Sequence, residues 1–202
     1  MKRIGAIAVA AVALTAVAPR AQAQLIGIPN YPVETGTGIF VSADYAKPEG
    51  GGSAYGVMGG VGFSRFGVRG AVGAFENGGN SDVSYGGSIG MRLIGGGLNP
   101  LQVGAQVGAS QIEFAGAKST VVWPGAYVKF SPPLFPIKPF GQVYYQTGDN
   151  VTDEVRFVVG ANFNLLLGFG LHGAYDWGDS AHTWGVGAHF TFRLPGMGVP
   201  GV

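Results

Sequence analysis

Apolar side chains recur at every second position along most of this chain. Side chains on a β-strand point alternately to its two faces, so each such run predicts a strand with one apolar face. Ten segments carry the pattern: residues 37–46, 53–63, 67–76, 82–93, 101–113, 119–130, 138–147, 154–165, 169–177 and 183–192. In the second, Tyr55, Val57, Val61 and Phe63 oppose Ala54, Gly56, Met58, Gly60 and Gly62. In the eighth, Val155, Phe157, Val159, Ala161, Phe163 and Leu165 oppose Arg156, Val158, Gly160, Asn162 and Asn164. In the last, Trp184, Val186, Ala188, Phe190 and Phe192 oppose Thr183, Gly185, Gly187, His189 and Thr191. Clusters of Gly, Asn, Asp and Pro separate the runs, as turns require. The sixth and seventh alternate less cleanly, with Pro124 inside one and Pro139 in the other.

The less apolar row decides which solvent each face meets. A water-soluble barrel would turn it outward and need Lys and Glu there. Here that row is mostly Gly, Ser, Gln, Asn and Ala. The apolar rows carry rings toward their ends, in Tyr55 and Phe63, Phe169 and Trp177, and Trp184 and Phe192. An apolar band between aromatic girdles is the exterior of a membrane barrel. The expectation is an all-β, antiparallel, up-and-down transmembrane barrel of ten strands with short loops, eight being the alternative. Tyr55, Phe63, Phe169, Trp177 and Trp184 form its aromatic girdle.

Composition agrees. Charged residues make up 11% of the chain, against about 25% in a soluble domain. Aromatic content of 12% argues against disorder. There is no Cys, so no disulfide framework or thiolate site can form. Lys2 and Arg3, an apolar run from Ile4 to Ala18, and Ala21-Gln22-Ala23 describe a secretory signal peptide, residues 1–23, cut after about Ala23. Its removal leaves 9 basic against 11 acidic side chains, which erases the only hint of nucleic-acid binding. Residues 24–36, with Pro29 and Pro32, and residues 193–202 are expected to be irregular periplasmic segments flanking a barrel over 37–192.

With the N-terminus placed in the periplasm, the charges segregate. The outer loops and adjoining strand ends hold Glu49, Glu76, Asp82, Glu113, Asp149, Asp153, Glu154, Asp176 and Asp179, against Lys47, Lys118 and Arg156. The inner ends hold Arg65, Arg69, Arg92, Lys129, Lys138 and Arg193. Outer carboxylates could take divalent cations that bridge lipopolysaccharide, and inner cations would meet anionic head groups.

The leader, the ten alternating segments and the closing GVGAHFTF resemble the small outer-membrane β-barrel superfamily of Gram-negative bacteria, the OmpA/OmpX-like group. The resemblance implies location in the outer membrane, with no activity attached. It also implies that Val186, Ala188, Phe190 and Phe192 form the signal read by the barrel-assembly machinery, although the chain continues ten residues past Phe192.

Candidate chemistry is sparse. Pairing the polar faces of the last strands gives position sums of about 361 and about 334. His172 then lies opposite His189, with Asn162 beside His172, as a polar row in the lumen. Two imidazoles lack the third ligand a metal needs, so the row reads as a hydrogen-bond network. Asp179, Ser180 and His182 are the residue types of a hydrolytic triad, but proximity in sequence does not make one. No catalytic residue, cofactor or metal is therefore expected. Lumen side chains able to obstruct passage are Phe40, Met58, Arg69, Arg92 and Arg156. The expected role is structural, or that of a narrow pore for small polar solutes. A surface-interaction protein and a lipid-modifying enzyme are the alternatives.

Overall fold

The computed structural model describes residues 28–96, 99–114, 117–132 and 134–192. The leader, its cleavage point and residues 193–202 lie outside them. Ten strands form: β1 (Gly38–Pro48), β2 (Ser53–Phe63), β3 (Phe66–Asn77), β4 (Asn80–Gly96), β5 (Asn99–Phe114), β6 (Ala117–Phe130), β7 (Ile137–Gly148), β8 (Glu154–Asn164), β9 (Phe169–Trp177) and β10 (His182–Phe192). Each pairs antiparallel with its neighbours in sequence, and β10 closes on β1 from Ile39↔Phe192 to Pro48↔Thr183. The eight-strand alternative is thereby set aside.

Local chemistry sets the turns and irregularities. Between β3 and β4, Gly78 and Gly79 both have positive φ (59° and 88°), as a two-residue hairpin turn demands. Pro124 points out of the barrel and has no N–H to give, so the β6–β7 ladder skips it. Pairing continues on either side in one register, Val122↔Thr147 and Gly125↔Tyr144.

The apolar rows face outward. Val41, Val57, Val72, Ile89, Val159 and Val186, all in the middle of the wall, are 46–56% exposed. Rings flank this band. At one end Tyr45 lies against Tyr55 and Trp184, with centroids 5.4 and 6.0 Å apart, and Phe157 stacks on Trp177 at 5.8 Å. At the other, Phe169 meets Phe190 at 4.7 Å and Phe63 pairs with Phe66. The expected girdle residues Tyr55, Phe63, Phe169 and Trp184 are exposed on this exterior, and Trp177 is half-exposed.

The mouth where β1 starts and β10 ends is called here the near mouth, and the opposite one the far mouth. Traced once round the closure, the registers displace β1 from itself by about 12 residues, which tilts ten strands strongly and leaves a narrow interior. Side chains fill it. Trp123, Tyr127, Phe140 and Tyr144 project inward from β6 and β7 and are buried.

Candidate functional site

The lumen contains a stretch of the chain's own backbone. Residues 28–33, expected to lie on the periplasmic side outside the barrel, are all buried inside it. The cause is packing. Ile28, Tyr31 and Val33 are apolar groups with nothing to cover them outside, and the inward row of several strands is glycine. An added Cβ on Gly185 would fall 2.6 Å from the Pro29 ring, and one on Gly90 2.9 Å from the Val33 Cβ. On Gly67 it would collide with the Glu34 carbonyl, and on Gly62 with that of Gly36. The chain thus runs through the lumen from Pro29, near Ala46 and the far mouth, down to Gly36 at the near mouth, and then turns into β1.

Hydrogen bonds hold it along its length. The Asn30 amide donates to Asp176 Oδ2 at 3.2 Å, and the Val33 amide to Gln106 Oε1 at 2.8 Å. Lys129 Nζ donates to the Val33 carbonyl at 3.2 Å and to Glu34 Oε1 at 2.9 Å. Pro29 and Pro32 have no amide hydrogen, which leaves fewer donors to satisfy inside the barrel.

A charge network closes the far half. Arg156 projects inward from β8 and is wholly buried. Its Nη1 lies 2.6 Å from Glu154 Oε1, its Nη2 3.0 Å from Asp176 Oδ1, and its Nε 3.1 Å from the Tyr144 hydroxyl. Tyr144 donates in turn to Asp176 Oδ2 at 2.7 Å, and Arg156 Nη2 to the Ala181 carbonyl at 3.0 Å. Two carboxylates, a phenol and a carbonyl surround one guanidinium, as a buried cation requires.

This corrects the reading of the rims. Glu154 and Asp176 are not rim carboxylates open to divalent cations, because they face inward and neutralise Arg156. Arg69 and Lys129 likewise face the lumen, 3% and 6% exposed, and do not meet head groups. Of the side chains expected to obstruct the lumen, Phe40, Met58, Arg69 and Arg156 are buried in it and Arg92 is half-buried. Alternation does not single out the inward rings of β6 and β7, because aromatic or apolar side chains stand on both faces of those strands, as Tyr144 and Tyr145 do.

The expected polar row sits in the near half. Asn162 pairs with His172 across β8–β9, at the expected sum of 334. Between β9 and β10 the register is two residues from the estimate: His172 lies opposite Gly187, and His189 opposite Gly170. The rings still meet on the diagonal, their Nδ1 atoms 3.1 Å apart. His172 Nε2 lies 2.5 Å from Asp44 Oδ1, and Ser42 donates to Asp44 Oδ2 at 2.9 Å. A carboxylate can only accept, so Nε2 of His172 carries a proton. In neutral His172, Nδ1 is then the acceptor, and His189 donates through its own Nδ1. Among the described residues, no group of three His, Cys, Asp or Glu is placed to hold a metal ion.

The triad types do not converge. Ser180 donates through its hydroxyl to Glu154, and its amide does so at 2.9 Å. His182 Nδ1 pairs with Glu49 Oε2 at 2.9 Å.

A closed antiparallel barrel with an apolar exterior and a polar, occupied interior is a transmembrane β-barrel. No protein-family model matches the sequence, and no curated protein does. Among solved structures, the chain is similar to the N-terminal β-barrel domain of Pseudomonas aeruginosa OprF. The identity there is 10% over 79% of this chain and 100% of that one, with a TM-score of 0.44. It is similar also to the KdgM porin, at 9% over 76% and 99%, TM-score 0.49. The β domain of the Bordetella autotransporter BrkA matches at 11% over 78% and 99%, TM-score 0.45. The likeness is one of barrel architecture.

Proposed function

We propose that this chain is a non-enzymatic integral outer-membrane β-barrel whose role is structural, with a narrow lumen closed by its own N-terminal segment. In this reading the near mouth faces the periplasm, the leader is removed after about Ala23, and small polar solutes pass only when the segment is displaced. The observation that carries it is the burial of residues 28–33 along the lumen axis, above which Arg156, Glu154 and Asp176 fill the far half. The exterior supports the lipid placement, with lipopolysaccharide as the outer-leaflet partner. Val186 and Phe192 are exposed on the last strand, where they and Ala188 and Phe190 would be read by the barrel-assembly machinery.

Planar-bilayer recording tests this. The refolded chain is expected to be silent, and a variant lacking residues 28–33 to give persistent small steps. Steady conductance from the intact chain would overturn the closed-lumen reading.

A further inference from the structure

Two turns at the near mouth hold large apolar side chains with nothing over them. Leu134 and Phe135 lie between β6 and β7, and Leu165 and Leu167 between β8 and β9. Leu134 is 106% exposed and Leu167 89%, far beyond the half-exposed valines of the wall. Both leucines also hold a left-handed backbone, with φ of 65° and 60°. That region suits Gly or Asn and strains a bulky side chain, so a Leu is kept there for what its side chain does. The two turns are joined, since the Asn164 amide donates to the Pro136 carbonyl at 2.9 Å. They run straight on from the apolar wall. Ile137 pairs with Phe163, Phe163 pairs with Leu171, and Leu165 continues the outward row of β8. Leu165 and Leu167 also border the near-mouth cavity, so they stand on the rim itself. Across the barrel, the β2–β3 turn presents Ser64 and Arg65, both exposed.

We infer that Leu134, Phe135, Leu165 and Leu167 form an apolar lip that enters the boundary between phospholipid head groups and acyl chains. It seats this sector of the rim in the near leaflet, while the Arg65 sector stays in water. Contiguous exposed apolar surface marks an interaction site, and at a membrane boundary it is buried in lipid. Phospholipid is the occupant because the lip is continuous with the wall that lipid already covers. The lip is also two projecting turn tips, whose leucines are open on all sides. Fluid acyl chains surround such tips, whereas a folded partner would cover one side. The inference rests on the lipid-facing reading of the wall and is independent of what fills the lumen.

The chain has no Cys, so Leu134→Cys, Leu167→Cys, Arg65→Cys and Val57→Cys can each carry one environment-sensitive fluorophore. Each full chain is folded into phosphatidylcholine vesicles, with folding checked by heat-dependent gel mobility. Labels at Leu134→Cys and Leu167→Cys should emit to the blue of Arg65→Cys. They should lose most of their emission to a lipid nitroxide set just below the head group, and little to iodide supplied on both sides of the bilayer. Arg65→Cys should show the reverse, and Val57→Cys should be quenched by a nitroxide deep in the acyl chains. Emission at either leucine position that is red-shifted and quenched by iodide would overturn the lip. A blue shift there that ignores the lipid nitroxide would also overturn it. If that shift fades as protein is diluted in lipid, a second copy covers the turns; if it fades on deletion of residues 193–202, the tail does. Quenching of Val57→Cys by lipid separates these failures from failure of the lipid-facing reading, in which no label meets lipid.

Discussion

The backbone amide of Asn30 donates to the Asp176 carboxylate at 3.2 Å, the same carboxylate whose other oxygen lies 3.0 Å from Arg156. One side chain on β9 therefore both neutralises the buried cation and anchors the segment that fills the lumen. Occupancy of the barrel and stability of its far half are coupled through Asp176.

Replacing Asp176 with Ala should destabilise the barrel by about 3 kcal/mol. It leaves a buried guanidinium short of a counter-charge, and breaking such pairs costs about 3–5 kcal/mol when no second carboxylate remains. Glu154 remains here and moderates the loss. Urea-dependent unfolding in phospholipid vesicles gives the number. A double-mutant cycle with Arg156→Met should be strongly non-additive, since each change removes the reason for the other residue's burial.

Gly67 offers a way to expel the segment without touching charge. A side chain there meets the Glu34 carbonyl and comes within 2.8 Å of the Val33 methyl. Gly67→Val should therefore push residues 28–36 from the lumen, giving small conductance steps in a planar bilayer and new protease cleavage in that stretch. Gly59 is the matched control: a Cβ there meets nothing closer than 3.8 Å, so Gly59→Ala should stay silent.

How far the sequence revealed this arrangement follows from what period-two patterning encodes. It encodes faces, so the ten strands and the outward rows of Tyr55, Val57 and Val186 were legible. It does not encode offset. Sliding β10 by two residues keeps every side chain on its face, and the register is then set by turn length and barrel tilt. His189 therefore lies opposite Gly170 while its ring still reaches His172. Residues 28–33 were illegible for another reason. Pro29 and Pro32 mark a chain that cannot join a ladder, which reads as a tail, and only the inward glycines at 62, 67, 90 and 185 hinted that something must fill the space they leave. Glu154 and Asp176 share the inward parity of Arg156 and His172, but only the closed fold brings both carboxylates onto the Arg156 guanidinium and away from the rim.

Acid should loosen the segment. Glu34 lies on it, ahead of β1. Burial alone would raise its carboxyl, but the Lys129 charge and hydrogen bond outweigh this and hold it below its ordinary value of 4.5, with His189 and Arg69 contributing. A folded-state value below the unfolded one contributes stability that is complete above the unfolded value. That stability is lost as pH falls through the folded one. Protease sensitivity of residues 28–36 should be flat from about pH 8 to 6 and rise below about pH 4.5. In Lys129→Met it should already be raised at neutral pH and change less on acidification.

The mid-wall positions test the solvent assigned to the exterior. Val57 is 53% exposed in the middle of β2, between Tyr55 and Phe63. Val57→Arg should cost about 2–4 kcal/mol of folding free energy in phospholipid vesicles, as for a cation at the bilayer midplane. In detergent micelles, where the head can reach water, the penalty should shrink. A cost of zero in vesicles would sink the lipid-facing assignment of that row.

The Asp44–His172–His189 chain makes an ordered prediction about two histidines that look alike in sequence. His172 donates to a buried carboxylate, whereas His189 donates only to His172. His172→Phe leaves the Asp44 charge with Ser42 as its remaining neighbour among these groups, and should destabilise by about 3 kcal/mol. His189→Phe removes one hydrogen bond and no counter-charge, and should cost about 1 kcal/mol. His172→Gln keeps an N–H donor and should recover part of the difference. Urea unfolding of the three variants at neutral pH decides it, and equal losses for the two Phe variants would show that Asp44 does not depend on His172.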